Sequence, residues 1–369
     1  MEEEKSEKKQ STVGRMGAWL NDRLSTVSFV DKFMLIHHLE IMTKAGLSIV
    51  ESLRALSVET ENKKLRRIIT EIKSDIETGR QLSEVLAKYP QIFPRIYVSM
   101  IAAGEIAGKL EDALSQISIQ MKKTQRLTSK VRGAMLYPLI IICAMAGISA
   151  FVVFYILPKI LVMFEDVNVE LPLATRVLIG ITKFSQSYWW LMLAVIIFAV
   201  IAFLRLMKIY EFKKKVHQLL LRLPIFGPII KKVNLARFTL TLSSLLGSTI
   251  PIVEATHISA DVLNNVIYKE NLTTAADGLR QGETLSEILS IYPKNFPAMV
   301  TEMIMVGEQT GRVEKMLGEL SEYYNNEVEE TMNNFTAIIE PVIILILGLG
   351  VAGIAVAVIM PMYSLAQSI

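Results

Sequence analysis

Gly79-Arg-Gln-Leu-Ser-Glu-Val-Leu86 returns later in the chain as Gly282-Glu-Thr-Leu-Ser-Glu-Ile-Leu289, at an offset of 282 − 79 = 203. The same offset carries Ile49-Val50-Glu51 onto Ile252-Val253-Glu254, Tyr89-Pro90 onto Tyr292-Pro293, and Phe93-Pro94 onto Phe296-Pro297. It continues through Gly104-Glu105 and Gly307-Glu308, Gly108 and Gly311, and Leu114 and Leu317. It then enters an apolar stretch, where Pro138 meets Pro341, Gly147 meets Gly350 and Pro158 meets Pro361. No gap interrupts the match, so the chain is a duplication of one unit, a polar domain followed by an apolar segment.

The polar part of each unit reads as helical. Leu65, Ile68, Ile69, Ile72 and Ile76 recur at helical spacing, with Lys63, Lys64, Arg66, Arg67, Glu71 and Lys73 on the other face. Leu110, Leu114, Ile117 and Met121 make a second stripe. Gly79 and Gly282 are expected to close helices and reverse the chain. Thr284 and Glu287 have capping-box spacing, and the prolines at 90, 94, 293 and 297 punctuate the helices around them. Alternating strand patterns are absent, so each unit predicts a small helical bundle.

Three apolar stretches are long enough to cross a membrane, which takes about 20 helical residues at ~1.5 Å each. They are Leu139–Leu157, Tyr188–Leu204 and Val342–Met360. Pro138 and Pro158 bound the first, Pro341 and Pro361 the third, and Tyr188, Trp189 and Trp190 head the second. Hydrophobic residues make up 51% of the chain while 20% are charged, a mixture that calls for both lipid-embedded and water-exposed parts.

Orientation follows from lysine and arginine near the span ends. Lys122, Lys123, Arg126, Lys130 and Arg132 precede the first span, and Arg205, Lys208, Lys213, Lys214 and Lys215 follow the second. The intervening loop has only Lys159, Arg176 and Lys183. The N-terminus and both bundles are therefore expected in the cytoplasm, and the C-terminus outside. Repeat logic asks for the same topology, because a second outward-running copy needs a return span between the two. The basic runs around Lys214 and Lys231 are expected to meet anionic headgroups.

The expected class is an all-α integral membrane protein with three transmembrane helices and two homologous cytoplasmic helical-bundle domains. The expected organisation is a disordered cytoplasmic tail at 1–30, a first bundle at 31–133, a span at 134–158 and an external loop at 159–187. A second span at 188–206, a linker at 207–233, a second bundle at 234–337, a third span at 338–361 and an external tail at 362–369 complete it. The polar start, MEEEKSEKKQ, has no apolar core of the kind a signal peptide needs.

Catalytic patterns are missing. Gly108-Lys109 is followed by Leu110 where a phosphate-binding loop needs Ser or Thr, and Ala103 stands where its first glycine should be. The histidines at 37, 38, 217 and 257 are scattered, and adjacent His37 and His38 point to different helix faces. Cys143 is the single cysteine, so no intramolecular disulfide is available. The net charge of +3 gives no case for nucleic acid. No catalytic, metal or cofactor residues are assigned, and the chain reads as a non-enzyme without cofactors.

Gly104-Glu105-Ile-Ala-Gly108 and Gly307-Glu308-Gln-Thr-Gly311 are the most motif-like stretches. One reading is a helix–turn–helix corner, with glycines for close approach or positive φ and the glutamate capping the helix that follows. The other is a surface that faces a partner protein. Both readings stay open on the residues alone.

Taken together, G-x-x-L-S-x-x-L, F-P, G-E-x-x-G and a proline opening a span resemble the F protein of type II secretion systems, whose family includes the platform protein of type IV pili. Leu223-Pro-Ile-Phe-Gly227 and Asn234-Leu-Ala-Arg-Phe238 are similar to that family's approach to its second unit. The resemblance spans about residues 31–365. It implies an inner-membrane platform that recruits a separate hexameric secretion or pilus ATPase and couples it to polymerisation of pilin-like subunits. It also implies other inner-membrane assembly proteins and a second copy of the chain as partners. The residues leave two alternatives, a transporter and a membrane-anchored signalling scaffold. Against the first, no span has an ionisable residue at its centre.

Overall fold

A computed structural model describes residues 26–156, 158 and 173–368. Among the described residues there is no strand. The first bundle comprises α1 (Phe29–Lys44), α2 (Ile49–Glu59), α3 (Lys63–Glu77), α4 (Leu82–Leu86), α5 (Arg95–Ile106) and the start of α6 (Leu110–Phe151). A π-helical turn, Val152–Ile156, extends α6. Then come α7 (Leu173–Leu206), α8 (Tyr210–Arg222) and α9 (Phe226–Gly247). The second bundle continues with α10 (Ile252–Val262), α11 (Val266–Arg280), α12 (Leu285–Ser290), α13 (Ala298–Thr310) and α14 (Val313–Ser368).

The duplication holds helix by helix. Helices α2 and α3 shifted by 203 residues fall on α10 and α11 at both ends (49 + 203 = 252, 59 + 203 = 262; 63 + 203 = 266, 77 + 203 = 280). Equivalent residues start equivalent helices. Asn62 and Asn265 both accept backbone N–H bonds at the head of α3 and α11, and Pro94 and Pro297 precede α5 and α13. The first bundle adds capping boxes at Ser28/Asp31 and Ser48/Glu51. Thr284 accepts from the Glu287 N–H as the spacing predicts.

The expected stripes are the cores. Leu65, Ile69, Ile72, Leu114, Ile117 and Met121 are buried in the first bundle. The second bundle uses rings where the first uses leucines: Phe238 and Tyr268 occupy the positions of Leu35 and Leu65 (238 − 203 = 35, 268 − 203 = 65). Both pack edge-on to Phe296, at 5.7 and 5.4 Å between centroids, and the Tyr268 hydroxyl donates to the Asn295 carbonyl at 2.9 Å.

The chain divides into two compact units. One holds the described residues up to Thr128 together with Lys231–Asn325, and the other holds Ser129–Ile230 and Asn326 onward. Within the first unit the two bundles touch directly: α5 lies against α10, with Arg95 and Asp261 paired at 3.7 Å. Gln120 of α6, 2% exposed, accepts from the Ser244 hydroxyl at 2.7 Å.

Three helices are long and apolar enough to cross a membrane, and almost none of the residues in their apolar windows is buried. Leu139, Ile142, Ile148, Phe198 and Leu349 are among the exposed ones. Such a surface is stable in lipid and not in water.

The prolines expected to bound the first and third apolar spans are not helix ends where the structure describes their surroundings. Pro138, Pro341 and Pro361 lie inside α6 and α14, which run on through them, so the last helix of each bundle and the following apolar segment are one continuous helix. Pro lacks only its own N–H and crowds one carbonyl, a disturbance a long helix in an apolar setting can absorb. Pro158 is flanked by residue 157 and residues 159–172, which lie outside the described residues. The first part of the expected loop at 159–187 also lies outside them, and its remainder from Leu173 is helical. Inside α7 the helical geometry breaks once, at Tyr188 (φ −122°, ψ 19°), where the second span was expected to begin. The expected linker at 207–233 contains α8, and the expected tail at 362–369 is helical through Ser368. Most of the segment expected as a disordered tail lies outside the described residues, and α1 already starts at Phe29.

Candidate functional site: the twin Gly-Glu corners

Each corner joins three helices, and its residues do three different jobs. Gly104 lies on α5 where α6 comes closest: a Cβ built on it would stand 2.5 Å from the Ala113 Cβ and 3.2 Å from the Lys109 carbonyl oxygen. Gly307 is held in the same way, with the Val313 Cα 2.9 Å away. Gly108 and Gly311 have open space around them but left-handed backbones, φ +64° and +67°, which let the chain turn between α5 and α6 and between α13 and α14. Gly79 and Gly282 reverse the chain before α4 and α12 with φ +87° and +92°.

The glutamates overturn one expectation. Glu105 does not cap the helix that follows it. It reaches back across the bundle to α4, where Oε1 accepts the Leu82 N–H at 2.6 Å and Oε2 accepts the Ser83 N–H at 3.0 Å and the Ser83 hydroxyl. The residue before α4, Gln81, makes no side-chain cap of its own, so the carboxylate supplies the missing acceptor. Glu308 repeats the arrangement on α12, accepting the Leu285 N–H at 2.6 Å, the Ser286 N–H at 3.2 Å and the Ser286 hydroxyl. A negative charge at a helix N-terminus also meets the favourable end of the helix dipole. L-S in one motif and G-E in the other are thus two halves of a single contact, separated by more than twenty residues of chain.

The corner also presents an apolar residue to solvent: Ile106, next to Glu105, is 85% exposed. The cap and the exposed neighbour coexist, so the fold-serving and the partner-facing readings do not compete for the same atoms.

A second polar cluster belongs to the first bundle alone. Glu40 on α1 is mostly buried, with Lys44 donating at 2.8 Å and His37 at 3.2 Å from its carboxylate. Burial raises its pKa, but hydrogen bonds from Lys44, Ser118, Ser115 and His37 outweigh that and hold it at about 2. The pattern of α1 contained these residues, but Ser115 and Ser118 come from α6, so no local spacing pointed to the cluster. The second bundle has Ser243 in place of Glu40 (40 + 203 = 243), so the repeat does not require the charge.

Among the described residues no group of His, Cys, Asp and Glu is placed to hold a metal. His37 stacks on Phe33 and bonds Glu40, and Cys143 lies exposed on the apolar part of α6.

The model of the family described as type II secretion system (T2SS), protein F, matches residues 35–158 and 238–361. The two matches stand at the offset of the internal repeat (238 − 35 = 203, 361 − 158 = 203). A type IV pilus assembly protein PilC from Thermus thermophilus is 34% identical over 91% of this chain and 82% of its own length. PilC from Myxococcus xanthus is 32% identical over 89% of this chain and 78% of its own length. A type II secretion system protein F from Pseudomonas aeruginosa is 31% identical over 91% of this chain and 83% of its own length.

Proposed function

Since the chain belongs to the family of type II secretion system protein F, we propose that this inner-membrane protein is a non-catalytic platform coupling a separate hexameric cytoplasmic ATPase to the polymerisation of pilin-like subunits. Its role in a pilus or secretion assembly machine follows from the family; the motor and the filament subunits are the proposal. One observation carries it most directly. The same capped bundle is made twice, and in each the last helix continues unbroken into an apolar segment. A motor acting on a bundle and a subunit lying in the membrane would then touch the same helix. In this reading the N-terminus and both bundles face the cytoplasm and the C-terminus faces outward, in keeping with the lysines and arginines flanking the first two spans. The exposed corner at Ile106 is where the motor would bear.

The test is photocrosslinking in native membranes from a photoreactive residue at Ile106 in the full chain. The expected product joins this chain to a protein carrying a nucleotide-binding loop and assembling as a hexamer, and it disappears when that protein's gene is deleted. Crosslinks that never contain such an ATPase, from Ile106 or from its equivalent Gln309, would overturn the motor assignment.

A further inference from the structure

A cleft of about 440 Å³ opens in the first bundle between the head of α1, the head of α3 and the turn from α4 into α5. That volume lies within the range of small-molecule sites. Lys32, Lys64 and Lys88 line it together with Ile68, Tyr89 and Ile92, and no Asp or Glu does. The carboxylates that its lining residues touch are already matched by cations. Lys88 and Arg80 hold Asp75, and Arg67 and the Tyr89 hydroxyl hold Glu71.

Two of the three lysines have no such match. The Lys32 ammonium donates to the Gln91 carbonyl at 2.6 Å and pairs with no carboxylate among the described residues. Its partial burial lowers its pKa from the ordinary lysine value. Lys64 stands in the first turn of α3, which has no acidic residue, with Lys63 before it and Arg66 and Arg67 after it. Cations thus crowd the positive end of the helix dipole, where an anion is favoured. The backbone there is not what lacks a partner, since Asn62 accepts the Lys64 and Leu65 N–H groups at 3.1 and 3.2 Å. Negative charge is what the cleft lacks.

The second bundle serves as an internal control. At its equivalent positions Lys32, Lys64 and Lys88 become Leu235, Ile267 and Ile291 (32 + 203 = 235, 64 + 203 = 267, 88 + 203 = 291). Leu235 is 1% exposed, so this position carries no charge where the bundle closes over it. Tyr89 and Pro90 keep their identity as Tyr292 and Pro293, while Gln91 becomes Lys294. Ile68 and Ile92 become Asn271 and Asn295, so polarity as such is not lost in the second copy. What is lost is the group of three lysines. The fold therefore does not require them, and their gathering in one bundle calls for a ligand.

We propose that this cleft binds a phosphate ester of about nucleoside-monophosphate size, with the phosphate held by Lys32 and Lys64 and the organic body against Tyr89, Ile68 and Ile92. Lysine ammoniums are suited to a phosphate as point charges, and the apolar wall suits a ring or a sugar. The site gives the first bundle a ligand that the second cannot hold, and it is independent of which motor or filament the platform serves.

The experiment is equilibrium dialysis of AMP against the full chain purified in detergent. Saturable binding with a midpoint below about 1 mM is expected, with inorganic phosphate competing and adenosine, which lacks the phosphate, not binding at the same concentrations. Lys32→Leu with Lys64→Ile installs the residues of the second bundle and should weaken AMP binding by on the order of tenfold or more. Lys64→Arg keeps the charge and should keep most of the binding. Thermal melting reports whether the double variant is folded; should it melt early, Lys64→Ile alone, at the half-exposed start of α3, carries the same test. No saturable AMP binding up to about 10 mM, adenosine binding as tightly as AMP, or binding that is indifferent to removal of the lysines overturns the proposal.

Discussion

Glu105 and Glu308 each satisfy two backbone N–H groups that their helices cannot satisfy internally, and they do so from more than twenty residues away. Leu82 and Ser83 are buried, so water is a poor substitute for the carboxylate. Glu105→Ala should therefore lower the unfolding free energy of the full chain in detergent by about 1–3 kcal/mol. Ser83→Ala should cost less, because both backbone bonds survive it, and the double variant should cost less than the sum, since the two residues share one contact. Denaturant melts check this; an unchanged midpoint for Glu105→Ala would show that the corner glutamate serves a partner and not the fold. The glutamates and serines were visible as motif residues in the sequence, but their pairing was not. A cap is legible when its acceptor stands within a few residues of the helix start, as at Ser48 and Glu51. It is hidden when the acceptor arrives from another helix.

At the scale of helices, the corner depends on how closely α5 and α6 approach. Gly104→Ala places a methyl group 2.5 Å from the Ala113 Cβ, well inside contact distance, and should destabilise the bundle by about 1–3 kcal/mol through overpacking. Ala113→Gly in the same chain removes the atom it strikes and should recover part of the loss, measured by thermal melting of the single and double variants. In the second bundle the obstruction at Gly307 is the Val313 Cα, so no side-chain truncation there should rescue Gly307→Ala. Equal rescue in both bundles, or none in either, would contradict this packing. Helix positions were largely legible from the repeat and from the apolar stripes, because both reflect which face must be buried. Helix ends near the membrane were less legible. Pro138 and Pro341 carry the local chemistry of a helix boundary, yet α6 and α14 pass through them. Composition changes from polar to apolar there while the backbone does not.

The whole molecule is a duplication with an unrepeated apolar segment between the copies. That architecture explains why three apolar helices accompany two bundles: α6 and α14 are repeats of one another, and α7 has no counterpart. It was readable from the sequence because a constant offset survives divergence of individual side chains, even where leucines of one core have become rings in the other. The contact between the bundles was not readable, since the residues that form it, such as Gln120 and Asp261, are the ones in which the copies differ.

If both copies run outward from the cytoplasm, equivalent points in the two bundles lie on the same side of the membrane. Glu61 and Asn264 are such a pair (61 + 203 = 264), exposed just before α3 and α11. The decisive measurement is the labelling of single cysteines at these two positions, in the full chain with Cys143→Ser, by a membrane-impermeant maleimide in intact spheroplasts and in inverted vesicles. Both cysteines should be protected in spheroplasts and labelled in inverted vesicles. Labelling of one from each side would contradict the account.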